Sequence, residues 1–279
     1  MADASSFELA LWGLSQAGKT AFLAQLFHQP MNEKWQVWPR ATSRKFFTDT
    51  QADTFANKFS PPTPLNEPAQ VVCTLQRRSD GLTVALQVED RSGKHWEWEA
   101  ALDQSGADTG NPVSDGTAVG NEEETGSRDP SEVLRKAAGL IVMLHPTPNP
   151  KALERQVTRT LFELFIARDH QRDPRPVAIC LSKADSLVRT PQELREAIEE
   201  PERFVLRRFP ADLETWVRKY CTDPKFFPVS AVGVKLRYGV VEPMIMRDVT
   251  LTMRKGVGGK PINLMAPFDW IITRLQAQS

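Results

Sequence analysis

Short apolar runs recur along the 279-residue chain, and most stop at a glycine, a serine or an acidic residue. "FELALWG" (7–13) predicts a strand ending at Gly13. "KTAFLAQLFHQ" (19–29) puts Phe22, Leu23, Leu26 and Phe27 on one helical face, with Pro30 as the stop. In "AQVVCTLQRRSDGLTVALQVEDRSG" (69–93) two β-branched stretches flank Ser79-Asp80-Gly81, which predicts an antiparallel hairpin. "LIVMLHP" (140–146) and "PVAICLS" (176–182) have the length and composition of buried strands. The helical stretch "KALERQVTRTLFELFIARD" (151–169) separates them, an alternation that predicts parallel strands joined by crossover helices. "KFFPVSAVG" (225–233) adds a strand and loop, and "NLMAPFDWIITRLQ" (263–276) a final amphipathic helix, capped by Asn263 with Pro267 in its first turns. The expected fold is α/β with three layers: a mostly parallel sheet with one antiparallel hairpin strand, flanked by helices.

Other stretches carry less pattern. Residues 31–68 read as irregular, with the prolines of "FSPPTPLNEP" (59–68) favouring an extended loop. Residues 103–130 lack large apolar side chains and cannot offset the entropy of ordering, so a disordered insertion is expected. Residues 190–222 read as polar helices broken by prolines. Residues 234–262 stay unplaced, with "VTLTM" (249–253) a short strand and "KGVGGKP" (255–261) a connector. The expectation is one domain over 1–279 that carries insertions at 103–130, 190–222 and 234–262.

Composition narrows the function classes. Lys plus Arg equals Asp plus Glu, so net charge is zero, which argues against nucleic acid or an anionic membrane as the main partner. The basic-aromatic stretch "RFVLRRF" (203–209) reads as a solvated helix face. Cys73, Cys180 and Cys221 are odd in number and without metal-ligand spacing, which fits a reducing, cytoplasmic setting and not a zinc site. No apolar run has the length of a membrane span.

Gly13-Leu14-Ser15-Gln16-Ala17-Gly18-Lys19-Thr20 matches GxxxxGK[ST] between the first strand and the first helix. Glycines at both ends let backbone N–H groups face phosphate oxygens, and the helix amino terminus adds partial positive charge. Lys19 would reach the β- and γ-phosphates, and the Thr20 hydroxyl would hold Mg²⁺. Ser15, Gln16, Ala17 and Ala21 complete the cradle along the loop and first helical turn. This is the signature of a P-loop NTPase. Such a site needs an acidic residue at the end of a second strand for Mg²⁺, and Asp90 closes "LTVALQVED".

From Asp90 the chain reads Asp-Arg-Ser-Gly, which resembles the DxxG box of Ras-like (TRAFAC-class) GTPases. In that family the glycine N–H, here that of Gly93, senses the γ-phosphate. Ser182-Lys183-Ala184-Asp185 resembles the family's base-reading [NT]KxD, with serine in place of the usual Asn or Thr. A carboxylate at Asp185 would accept both N1–H and N2–H₂ of guanine, a donor pair that adenine lacks, while the Lys183 stem covers the base. Ser230-Ala231 resembles the last nucleotide box, beneath the guanine. The resemblance also calls for a switch threonine on Mg²⁺. Thr63 occupies the expected place, with Thr42, Thr48, Thr50 and Thr54 as alternatives. What it implies is GTP/GDP binding with Mg²⁺, phosphoryl transfer to water, and a γ-phosphate-ordered switch read by an effector or activating protein.

Two departures weaken the catalytic part. The family's water-orienting glutamine is replaced by Lys94 and then His95. His95 could orient water one residue late, although a histidine beside "WEWE" is more often a surface strand residue. Ser15 stands where Ras proteins carry glycine. Unaided turnover should therefore be slow, on the order of 10⁻⁴ s⁻¹. A P-loop ATPase and a catalytically inactive nucleotide-binding scaffold are the alternatives; Asp185 argues against the first. The ending "GKPINLMAPFDWIITRL" resembles the closing segment of bacterial double-GTPase-type domains of conflict systems.

Overall fold

The structure, a computed structural model, describes residues 6–14, 17–28, 34–55, 69–90, 130–147, 149–246, 252–253 and 259–278. At its centre lies β1 (Ser6–Trp12), with parallel neighbours on both sides: β4 (Thr83–Asp90), where Leu9 faces Leu86, and β5 (Gly139–Leu144), where Leu11 faces Ile141. β5 leads outward to β6 (Asp173–Leu181) and β7 (Cys221–Pro228), both parallel to it. On the other side β3 (Ala69–Arg77) pairs antiparallel with β4, and the edge strand β2 (Trp35–Pro39) pairs antiparallel with β3. The seven-stranded order is thus β2-β3-β4-β1-β5-β6-β7, in which β3 is the one strand that runs against the rest. This is the expected mixed α/β architecture.

The alternation of side chains assigns two buried faces. Leu9, Leu11, Ile141, Met143, Ala178 and Cys180 pack on one side against α1 (Lys19–His28), α2 (Arg44–Phe55) and α8 (Ala266–Gln278). Ala10, Trp12, Leu140, Val142, Leu144, Val177, Ile179 and Leu181 face the other side. There they meet α3 (Pro130–Lys136), α4 (Pro150–Ala167), α5 (Pro191–Glu199), α6 (Pro201–Arg208) and α7 (Leu213–Arg218). Continuously apolar β5, buried at all six positions, is what a central parallel strand covered on both faces requires. Helix starts follow local chemistry. Asn149 Oδ1 accepts from the N–H groups of Lys151 and Ala152, with Pro150 at the first helical position. Thr190 and Glu193 form a capping box on α5.

Four sequence expectations need correction or completion. Residues 31–68 are not irregular throughout: β2 and α2 lie within them, because the proline cluster comes only after Phe55 and the preceding stretch supplies buried Trp35 and Phe47. Asn263 does not cap α8. It adopts φ 49°, and its side-chain amide donates to the carbonyls of Ala197 and Pro228, tying α5 to β7. Residues 234–262 take part in a second sheet, order β12-β8-β9, built from β8 (Ser230–Arg237), which starts just before them, β9 (Val240–Pro243) and β12 (Lys260–Ile262). A two-strand ribbon joins Ile245–Met246 (β10) to Thr252–Met253 (β11), the last two residues of "VTLTM", whose positions 249–251 lie outside the described residues. "KGVGGKP" likewise runs into β12. The proposed disordered stretch lies outside the described residues up to 129, and Pro130 already begins α3.

Candidate functional site

The parallel strands all end on one edge of the sheet, and there the chain presents its polar sequence boxes. The chain leaves β1 toward β2 on one side and leaves β5 toward β6 on the other, which makes the carboxyl ends of β1 and β5 a topological switch point. The glycine loop starts at this point. Gly13 has φ 150°, and a Cβ there would lie 2.5 Å from the Met143 carbonyl oxygen, so the loop can press on β5 only as glycine. Gly18 has φ 88° and its carbonyl accepts the Phe22 N–H at 2.9 Å, which opens α1. The first-turn amides of α1 have no intrahelical acceptors and face the loop. Lys19 is 5 % exposed, and its Nζ donates to the carbonyls of Gly13 at 2.8 Å and Leu14 at 3.1 Å. The ammonium is thus held over the loop. Thr20 and Ala21 lie half-buried in the same turn, and Ala17 is buried.

The second box packs directly on the first. A Cβ on Gly18 would stand 3.6 Å from the Ser182 Cβ. The Ser182 N–H donates to the Leu144 carbonyl at 2.9 Å, while its buried hydroxyl has no partner among the described residues. Lys183 then takes the left-handed conformation (φ 54°, ψ 33°), turning the chain into a 3₁₀ turn over Ala184–Ser186. That turn buries Asp185 to 3 % exposure. Ser230, at the start of β8, donates its hydroxyl to Asp185 Oδ1 at 2.5 Å, and the Ala184 N–H donates to the Val229 carbonyl at 3.0 Å. A buried carboxylate needs such a donor to offset its desolvation. The structure therefore brings together Gly13, Gly18, Lys19, Ser182, Lys183, Asp185 and Ser230, with half-buried Ala231 beside the last. Asp90 ends β4 on the same edge. Ser15, Gln16, Thr63, Gly93 and His95 lie outside the described residues.

His145 was not singled out from the sequence, yet it follows β5 directly, between the two boxes. Burial, with the nearby Lys183 charge, lowers its pKa from the ordinary 6.5. The signal available in the sequence was only its place at the end of an apolar run. Because the folded pKa lies below the unfolded one, the neutral ring's contribution is complete above about pH 6.5 and is lost as pH falls toward the folded value. Replacing His145 with Gln should therefore flatten the fall in thermal midpoint between pH 7 and pH 5. Wild type and variant scanned side by side across that range provide the check.

Other candidate chemistry resolves into packing. Cys73 and Cys221 are buried with pKa values pushed up to about 12, and burial raises Cys180 further, so at neutral pH all three are protonated thiols packed in the core. The described residues contain no cluster of His, Cys, Asp or Glu able to hold a metal by itself. In "RFVLRRF" Phe204 and Val205 are buried, while Arg203 pairs with Glu200 at 2.7 Å, Arg207 with Glu196 at 2.5 Å, and Arg208 with Glu193. Its positive charge is neutralised locally, as a solvated face demands. A shallow depression of about 760 Å³, lined by Glu202, Arg203, Arg207, Glu214 and Lys225 among others, shares no residue with the glycine-loop site. Among the described residues no helix is long and apolar enough to cross a membrane.

No protein-family model matches the chain, and no curated protein matches it. Among solved structures it is similar to a GTP-binding protein from the hyperthermophilic archaeon Sulfolobus solfataricus, determined in complex with GDP. Identity is 11 %, the TM-score is 0.42, and the match covers 96 % of this chain. It covers 53 % of the archaeal chain, so the present chain spans about half the length of that protein.

Proposed function

We propose that the chain binds GTP and GDP with Mg²⁺ at the carboxyl edge of its central strands and acts as a slow molecular switch. One observation carries the reading. A buried carboxylate, Asp185, anchored by Ser230, lies in the box that packs against a glycine loop holding a buried lysine. Phosphate-cradling amides and a purine-reading acid within one contact of each other are what a guanine nucleotide needs at its two ends. The described residues fit such a ligand. Gly13 lets the loop settle on Met143 of β5, the donor set faces one edge, and the buried Ser182 hydroxyl beside Gly18 awaits an acceptor or donor.

In this reading Lys19 neutralises the β- and γ-phosphates, and the amides of residues 15 to 21 wrap them. Thr20, Asp90 and the switch threonine, Thr63, would hold Mg²⁺, which supplies charge stabilisation to phosphoryl transfer when bound. The Gly93 N–H reports the γ-phosphate, and His95 is the candidate for orienting water. Ala231 offers its N–H to the guanine carbonyl. With no glutamine after the Asp90 box, unaided turnover would be slow, and a group supplied by an effector or activating protein would raise it. The single domain over 1–279 and its cytoplasmic setting belong to the same proposal. The resemblance of the closing segment to bacterial double-GTPase domains supports a role in bacterial signalling or defence.

The test is equilibrium binding of fluorescent GDP, GTP, ADP and ATP, with and without Mg²⁺. The expected result is guanine preference of at least about 100-fold, since the missing donor pair leaves buried polar groups unpaired. Equal affinity for adenine nucleotides would favour an ATPase, and no binding at all would favour a scaffold.

A further inference from the structure

We propose that Gly233 and the close approach of β12 position the purine-reading carboxylate, so that the small sheet of β8, β9 and β12 is a brace for base recognition. The inference rests on the reading of Asp185 given above. It begins with an irregular pairing. β8 and β12 match Ile262 to Ser230 and Lys260 to Val234, so four steps on β8 oppose two on β12. The surplus residues form a bulge, and bulges recur where a side chain must be re-aimed. Gly233 sits in this bulge at φ 71°, where a Cβ would lie 1.9 Å from the Lys260 carbonyl oxygen. Only glycine allows both the dihedral angle and the approach of β12.

The bulge folds the Gly233 N–H back onto the Ser230 hydroxyl at 2.9 Å. An amide can only donate, so it occupies a lone pair of Ser230 Oγ and leaves the hydroxyl proton for Asp185 Oδ1, 2.5 Å away. The relay is Gly233 N–H to Ser230 Oγ–H to Asp185, with Ser230 and Asp185 both buried. Two-point recognition of a base edge depends on the plane of the carboxylate, and a side chain fixed through one oxygen has that plane set in advance. Val229 reinforces the geometry: its N–H donates to the Leu181 carbonyl, and its carbonyl accepts from Ala184, which locks the two boxes together through the main chain. Gly233 and β12 touch neither base nor phosphate in this account. They are positioning elements.

The experiment has an arm that needs no nucleotide and one that does. In the protein alone, Ser230→Ala should speed hydrogen exchange of the Gly233 amide about tenfold or more, because it removes that amide's acceptor, while Asp185→Ala, which leaves Oγ in place, should speed it less. In the second arm, Gly233→Ala and Ser230→Ala should each weaken GDP about tenfold and lower the guanine-over-xanthine preference. The double variant should be no worse than the weaker single, as coupled positions require. Val241→Ala, which leaves a cavity on β9 of the same sheet, should lower the thermal midpoint while the GDP Kd stays within about twofold. Unchanged Gly233 exchange in Ser230→Ala, or a folded Gly233→Ala with wild-type GDP affinity and selectivity, overturns the proposal. If the wild type binds no GDP, the guanine reading fails, while the exchange arm still decides the relay. If Gly233→Ala does not fold, the exchange data and Ser230→Ala decide it.

Discussion

Asp185→Asn is expected to weaken GDP binding by about 10³-fold and to make xanthosine diphosphate the better ligand. Each hydrogen bond to a charged acceptor contributes roughly 1.5–3 kcal/mol, and the carboxylate would make two to the guanine edge. Asparagine keeps one carbonyl acceptor but opposes the second guanine donor with an NH₂ group. Xanthine carries a carbonyl where guanine carries its amino group, and so turns that clash into a hydrogen bond. The fold should tolerate the change. Ser230 can donate to the asparagine carbonyl as it does to Oδ1, and the volume in the 3₁₀ turn is conserved. Titration of fluorescent GDP and its xanthine counterpart on wild type and variant, with thermal midpoints as the control for folding, measures the exchange of preference. An unaltered ratio of the two affinities would remove Asp185 from base reading altogether.

Much of this site was legible because its residues sit where short-range rules apply. Gly13 and Lys19 lie between a strand and a helix that periodicity alone locates, and Asp80-Gly81 fixes the hairpin that ends at Asp90. Apolar runs such as 140–144 and 176–181 identified buried parallel strands directly, since both their faces are covered. What escaped depends on partners far along the chain. β2 is a five-residue edge strand whose Trp35 is held by Asp269, 234 positions away, through Nε1 to Oδ1 at 2.8 Å, with Lys34 on the same carboxylate at 2.9 Å. No local periodicity reports such a contact. The sheet formed by β8, β9 and β12 escaped for a related reason: its register is broken by a bulge, and its third strand arrives after an interval without strong pattern. Asn263 had the residue type of a helix cap, but its amide found two carbonyls on other elements. Tertiary demand overrode a local preference of about 1 kcal/mol.

The largest loss of stability should come from the opposite end of the sheet, at Arg175. Its guanidinium donates Nε to Asp173 Oδ1 at 2.8 Å and one terminal nitrogen to Asp173 Oδ2 at 2.5 Å. The other terminal nitrogen reaches the carbonyls of Leu134 and Ala137, both at 2.5 Å, where α3 ends. Asp173 is fully buried, and its N–H donates to the Tyr220 carbonyl at 2.7 Å, which links the starts of β6 and β7. Arg175→Ala would strand a buried carboxylate and uncap the last carbonyls of α3, at a cost of about 3–5 kcal/mol. Lysine should recover only part of this, because a point charge cannot span a carboxylate and two carbonyls at once. Removing both charges, in Asp173→Asn with Arg175→Met, should cost less than Arg175→Ala alone, since no unpaired ion remains. Chemical denaturation of the four proteins gives the comparison, and equal losses for the single and the double variant would show that the ion pair is not the source. Arg175 lies at the amino end of β6 while Ser182 follows its carboxyl end. GDP affinity per folded molecule should therefore survive in every variant, separating what holds this sheet together from what its other edge is proposed to bind.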